Sequence, residues 1–386
     1  MKAFRVMRVD FKDFDQEDRG REGSPSHAKR YAAIKLLLSL TETALSFVLL
    51  AFLLITGYSK TLEQWAHSFS SSQYAALFVY LAAFGILGGI LSFPLSFYSG
   101  FILEHRYHLS NQTLLQWLWE HIKGLLVSLP ITLPLMFLFY FFLREYQTMW
   151  WLPVAVVLFV VSVLLSRIAP IVIMPLFYKF TPLEDGPLKE RILTLCRSTS
   201  LNVKGIFTFN LSKTTKKANA GFTGIGRSKR IILGDTLMKS FSNDEIETVF
   251  AHELGHYVHG HIRKSIIAGT ISVFVGLYLT SVLYSWSLRW AGFSSVDELA
   301  ALPLLALWLG VYSLITSPLS NVLSRKHEFE ADQYAVRRTG NSFAFVSTMK
   351  KLAAMNLADT APHPAIEFLF YSHPSIEKRI RAAESM

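Results

Sequence analysis

Six stretches of this chain stay apolar for about the length a bilayer requires: 33 to 57, 76 to 98, 124 to 143, 150 to 175, 265 to 288 and 300 to 323. A helix rises about 1.5 Å per residue and the hydrocarbon core is about 30 Å thick, so runs of about 20 apolar residues predict six spanning helices. In the fourth run, Arg167, Pro170 and Pro175 predict that the last third leaves the lipid or is shielded by protein. Elsewhere the pattern changes period. "KFTPLEDGPLKERILTL" reads as a Pro and Gly turn leading into an amphipathic helix, and "GIFTFN" and "KRIILGD" read as short strands. "SNDE", Ser242 to Glu245, has the spacing of a capping box and opens a helix that runs on toward the fifth span. "SRKHEFEADQYAVRRTG" reads as a helix ended near Gly340.

The predicted organisation is a cytosolic arm (1–32), four spans with their loops (33–178), the first part of a soluble domain (179–264), a hairpin of spans five and six (265–323) and the second part of that domain (324–386). The fold class is a mainly α, multi-span helical bundle carrying a soluble domain with a small β-sheet. The two soluble pieces must meet in space if they share a site.

With 51% of its 386 residues hydrophobic and 17% charged, the chain is too apolar for a soluble protein. A net charge of +10 raises nucleic acid as a partner, but the placement of the charge argues for membrane orientation instead. Lys and Arg crowd the arm (Lys29, Arg30), the segment 179 to 264 and the tail after 324, whereas the connections 58 to 74, 144 to 149 and 287 to 299 carry one each, Lys60, Arg144 and Arg289. Basic loops stay in the cytoplasm, so both termini and the 179–264 segment are expected there, which agrees with an even number of spans. The first 32 residues lack the apolar core of a cleavable signal, so the first run is expected to remain as an anchor. A single cysteine, Cys196, excludes an internal disulfide framework.

"FAHELGHYVHGH", Phe250 to His261, carries four histidines and one acid. On a helix, His252 and His256 lie four apart on one face and can reach one ion, while Glu253 is angled to hold and deprotonate the attacking water. His259, a further three residues on, could compete as third ligand, but one straight helix rarely wraps three turns around a tetrahedral ion. A second-sphere or exposed position is therefore expected for it. The better third ligand lies in "HEFEADQYA": Glu328 and Asp332 share one helical face and Glu330 points away. Glu328 can bind the metal, and Asp332 can accept the free ring N–H of a ligand histidine.

"HELGHYVHGH", "SRKHEFEADQYA" and "FYSHPSIEKRI", with "NQTLLQWLWEHIKG", "LFYKFTPLEDGPLKERI" and "KANAGFTGIGRSKRIILGDTLM" in the same order, resemble the type 1 CAAX prenyl protease family of integral-membrane zinc endopeptidases. The resemblance covers most of the chain from about residue 76. It implies one zinc ion held by His252, His256 and Glu328, Glu253 as general base and Asp332 as helper acid. His373 would stabilise the oxyanion, with Arg379 nearby in the substrate-binding region, and the strand of Asn219, Ala220 and Phe222 would bind substrate as an added strand. It further implies a ring of tilted helices around a water-filled chamber, for which Glu104, Arg106 and Arg167 are candidate lining residues. Well-studied members have seven spans against the six read here. The expected substrate is a peptide or lipidated peptide, removal of a C-terminal tripeptide from a prenylated protein being the family reaction; the alternative is membrane-protein quality control without prenyl specificity. Membrane lipids are the other expected partner, with the active site facing the cytosol from a bacterial inner membrane or the endoplasmic reticulum. A zinc-bearing transporter or scaffold would need the ligands but no carboxylate at 253.

Overall fold

The computed structural model describes residues 25–197, 199, 205–223 and 230–386. The first 24 residues of the arm and the "GIGRS" part of the loop after "ANAGFT" lie outside the described residues.

Among the described residues six helices are long and apolar enough to cross a membrane: α1 (Ser26–Ile55), α3 (Gln73–Arg106), α4 (Leu114–Met149), α5 (Trp151–Phe177), α9 (His261–Leu288) and a last span, Leu299–Thr339, most of which is α10 (Leu302–Thr339). They expose large apolar side chains such as Ile55, Ile90, Leu115 and Ile315, as surfaces solvated by lipid do. The connection 58–74 holds a short amphipathic helix, α2 (Tyr58–Phe69). In α5 the proline-bearing stretch Ala169–Ile173 widens to a π-turn, since a proline removes one rung of the hydrogen-bond ladder.

The three weakly basic connections meet at one end of the bundle. Lys60 Nζ donates to the Gly292 carbonyl at 2.5 Å, and Arg144 Nε lies 3.5 Å from Asp297. Beneath them Tyr80, Tyr140, Trp150 and Tyr284 are fully buried, and the tyrosine hydroxyls of 140 and 284 donate to the carbonyls of Asp297 and Val296.

The soluble domain gathers from two pieces around one core. The first supplies β1 (Phe180–Pro182), α6 (Pro187–Arg197), β2 (Ile206–Phe209), β3 (Ala220–Thr223), β4 (Arg230–Gly234), α7 (Asp235–Ser240) and α8 (Asn243–Val258). The second supplies the end of α10, α11 (Ser342–Asn356), α12 (Pro364–Phe370) and α13 (Ile376–Glu384). The sheet order is β1-β2-β4-β3; β2 and β4 run parallel, the outer pairs antiparallel, and β3 is an edge strand in register with β4 from Ala220↔Leu233 to Thr223↔Arg230. Ile192, Ile231, Leu233, Phe250 and Phe345 fill the core between sheet and helices.

Cys196 belongs to this core and is 3% exposed. Burial pushes its thiol up to about 11, and only the thiolate reacts readily with electrophiles. The folded protein at neutral pH should therefore resist maleimide, and the unfolded protein should take up one equivalent, as intact mass will read; labelling of native protein at a free-thiol rate contradicts this packing.

Candidate metal centre and active site

Helix α8 is fixed at its start before it presents any chemistry. Ser242 and Glu245 form a reciprocal cap, the Ser242 hydroxyl accepting from the Glu245 N–H (3.3 Å) and the Ser242 N–H donating to the Glu245 carboxylate (2.8 Å). That carboxylate also accepts from Ser347 (2.6 Å) and Lys351 (2.7 Å) of α11. Burial would raise its pKa, but Lys351, Ser347 and the Ser242 amide hold it below the usual carboxylate range. The helix ends at His259, and Gly260 takes φ +66°, a left-handed conformation that glycine adopts without strain.

What brings α8 onto α10 is an absent side chain. A Cβ at Gly255 would stand 2.9 Å from Ala331 Cα and 3.1 Å from the Ala331 carbonyl, so the two backbones touch there. His252 and His256, one turn apart on α8, consequently face Glu328 and Asp332, one turn apart on α10. The His252 and His256 Nε2 atoms are 3.1 Å apart and lie 3.5 and 3.3 Å from the Glu328 oxygens. Those three residues form a group of potential metal ligands whose atoms all lie within 4.8 Å of one another.

Behind them, His252 Nδ1 approaches Asp332 Oδ1 to 2.8 Å. The ring N–H is not well aligned with the oxygen, so the contact acts more as charge pairing than as an ideal hydrogen bond. Burial disfavours a proton on His252, yet Asp332 and Glu328 outweigh it and raise the imidazole to about 9. The negative field that favours a proton there also favours a divalent cation. Asp332 is gripped by Arg379, whose Nε and Nη2 donate at 2.8 and 2.7 Å and whose Nη2 also lies 3.4 Å from Glu328. Arg379 thus turns inward onto the carboxylates.

Two cavities share this wall. One, of about 250 Å³, opens toward the soluble domain and is lined by Asn219, Ala220, His252, Glu253, His373 and Arg379 among others. The second, of about 650 Å³, lies between α5, α9 and α10; apolar side chains such as Leu158, Phe159, Ile266 and Phe274 line it together with polar ones, His261 and His327 among them, at the end near the ligand group. Glu253, His256 and Glu328 border both. His373, exposed, holds its Nε2 3.6 Å from Glu328 Oε1, and the N-cap of the last helix is Ser375. The backbone of Phe222 lies in β3.

The expected lining residues need correcting. Glu104, Arg106 and Arg167 line neither cavity. Glu104 instead receives Tyr31 (2.6 Å), Lys35 (3.0 Å) and Lys217 (2.9 Å), tying the loop before β3 to α1 and α3. The same loop pairs with the end of α3 through the Lys216 N–H to the Leu109 carbonyl (2.9 Å), and Lys213 reaches Glu120 at 2.5 Å, so two of its three lysines serve as anchors. His259 is exposed, and the neighbour of His256 is His261, Nδ1 to Nδ1 at 2.9 Å. The overlooked signal was Gly260, which ends α8 and turns the chain back. Asn356 also went unnoticed: its side chain brackets the peptide of Ala218, accepting from the N–H at 3.1 Å and donating to the C=O at 3.5 Å.

Residues 182–386 match the profile described as Peptidase family M48, and residues 21–179 match "CAAX prenyl protease N-terminal, five membrane helices". The chain belongs to peptidase family M48. Within it, the type 1 CAAX prenyl proteases are its relatives: it is 33% identical to CAAX prenyl protease 1 of Saccharomyces cerevisiae, over 79% of this chain and 71% of that protein. It is 30% identical to the uncharacterized metalloprotease YhfN of Bacillus subtilis, over 92% of this chain and 84% of the other. The fold is similar to the crystal structure of S. mikatae Ste24p, with TM-score 0.82, 29% identity, and coverage of 95% and 90% of the two chains. This M48 peptidase is a multi-pass membrane metalloendopeptidase. Where the N-terminal profile describes five membrane helices, the described residues hold four of spanning length and the short α2.

Proposed function

We propose that this M48 peptidase is a zinc endopeptidase that cleaves near the C-terminus of peptides bearing an isoprenoid or similar lipid. The observation that carries the reading is the shared wall: Glu253, His256 and Glu328 stand between a cavity of mixed polarity beside β3 and a larger, mainly apolar one among the spans.

The donor set supports zinc. A tetrahedral ion with ligands at about 2.0–2.1 Å spaces its ligand atoms about 3.3–3.4 Å apart; the two histidine Nε2 atoms are 3.1 Å apart, and each has a Glu328 oxygen near that spacing, Oε2 at 3.5 Å from His252 and Oε1 at 3.3 Å from His256. Two imidazoles and one carboxylate suit zinc and not magnesium or calcium, which take oxygen ligands. Zinc, when bound, supplies a Lewis acid that polarises the scissile carbonyl and acidifies water.

The chain's own residues do the rest. Glu253, facing both cavities and outside the ligand set, takes the proton of the attacking water and returns it to the leaving amine. His373 donates to the oxygen that gains charge in the tetrahedral intermediate. Asp332, held by Arg379, fixes the ring of His252. An extended peptide pairs with the free edge of β3, its backbone aligned by main-chain hydrogen bonds and its lipid directed into the apolar cavity. The excess of basic residues in and around this domain supports a site facing the cytosol, by the positive-inside rule.

The test is a quenched fluorogenic panel presented to purified, detergent-solubilised protein, half the peptides farnesylated at a C-terminal cysteine motif and half plain. The expected result is cleavage of the farnesylated half with kcat/KM at least about tenfold higher, since each buried CH₂ contributes about 0.8 kcal/mol. Equal cleavage of both halves would favour quality control of membrane proteins instead.

A further inference from the structure

The two histidines of the ligand group are supported differently. His252 meets its carboxylate directly, Asp332 at 2.8 Å. His256 meets none beyond Glu328 itself; its Nδ1 contacts His261 Nδ1 at 2.9 Å, and His261 Nε2 contacts Glu330 Oε2 at 2.8 Å. We propose that His261 and Glu330 are positioning residues for the ligand His256, forming a carboxylate–imidazole–imidazole relay that orients its ring and fixes its tautomer; this rests on the zinc reading above.

The chemistry allows one arrangement of protons. His256 turns Nε2 toward His252 and Glu328, so a ligating, neutral His256 carries its proton on Nδ1. That N–H can only donate to His261 Nδ1, which must therefore be the bare nitrogen of its ring. The His261 proton then sits on Nε2 and donates to Glu330, an acceptor. Each link requires the next.

The backbone explains how residue 261 reaches residue 256. In a continuous helix a side chain five positions on would point about 140° away from His256. The left-handed Gly260 breaks the helix and restarts it at His261, folding that ring back beneath His256. His261 is 3% exposed and stacked on His327 at 4.1 Å between centroids, which holds its plane. Glu330 is kept in place from outside by Lys264 at 3.7 Å and Lys326 at 3.9 Å.

The experiment is zinc affinity by chelator competition on full-length protein in detergent, with maleimide protection of Cys196 reporting that each variant is folded. His261→Leu and Glu330→Leu should each weaken zinc binding about 10- to 100-fold, the usual cost of losing a second-sphere partner. The double variant should lose no more than the worse single, because both cut one chain. His261→Gln should recover most of the affinity, its amide oxygen accepting from His256 and its N–H donating to Glu330. Glu330 is partly exposed, 29% for its side chain, so its variant keeps the test open if His261→Leu does not fold. Leucine variants within twofold of wild type, or losses that multiply in the double variant, would overturn the relay. A His252→Ala control separates the two readings: if it too leaves affinity unchanged, the ligand assignment itself has failed.

Discussion

Replacing Glu253 by Gln should lower kcat for peptide hydrolysis by about two to four orders of magnitude, the range a general base contributes, while zinc content stays at the wild-type level. Glutamine keeps the size and hydrogen-bonding reach of the side chain but cannot take a proton at neutral pH. Glu253 stands outside the group formed by His252, His256 and Glu328, so the substitution leaves the ligands in place. It borders both cavities, so substrate should still bind, and KM should move less than kcat. Zinc content by atomic emission alongside steady-state kinetics makes the comparison. Activity above about a tenth of wild type with full zinc would reject Glu253 as the base.

The second large effect is structural. Arg379→Met should destabilise the soluble domain by about 3–5 kcal/mol, the cost of removing one partner of a buried ion pair. Arg379 and Asp332 are 7% and 1% exposed, and Glu328 is 6% exposed, so without the guanidinium two carboxylates share a site with little water. Burial disfavours the guanidinium charge, but Asp332 and Glu328 reverse that and raise its pKa, so it is charged throughout the working range. Lysine at 379 should restore only part of the loss, because an ammonium cannot make both contacts with Asp332 at once. Saturating zinc should narrow the gap, since a bound cation replaces part of the missing charge and stabilises the folded state by mass action. Thermal unfolding with and without zinc reads all three; a methionine variant melting with the wild type would show that the pair contributes nothing net.

Much of the fold could be read directly, because spans and strands advertise themselves locally. An apolar run of bilayer length has few places to go but lipid, and "IFTF" and "RIILG" within the two predicted strands are β2 and β4. The capping box at Ser242 was equally legible, its two partners being three residues apart. What escaped depends on residues distant in sequence. Nothing near Glu104 announces Lys217, 113 positions on. Nothing near Arg379 says that it will grip Asp332, and Asn356 gives no local sign that it brackets Ala218. His261 was missed for a smaller reason: helical periodicity carried through Gly260 turns residue 261 away from His256, whereas the left-handed Gly260 brings it back.

The backbone contact at Gly255 has a mechanical consequence. It fastens α8 to α10, and so the histidines to Glu328, while the only covalent route from α8 into span five passes through the left-handed Gly260. Span five in turn leans on α10 where Gly276 admits the Tyr312 ring. The ligand set is therefore held by a direct backbone contact between two helices and owes nothing to the chain connection into span five.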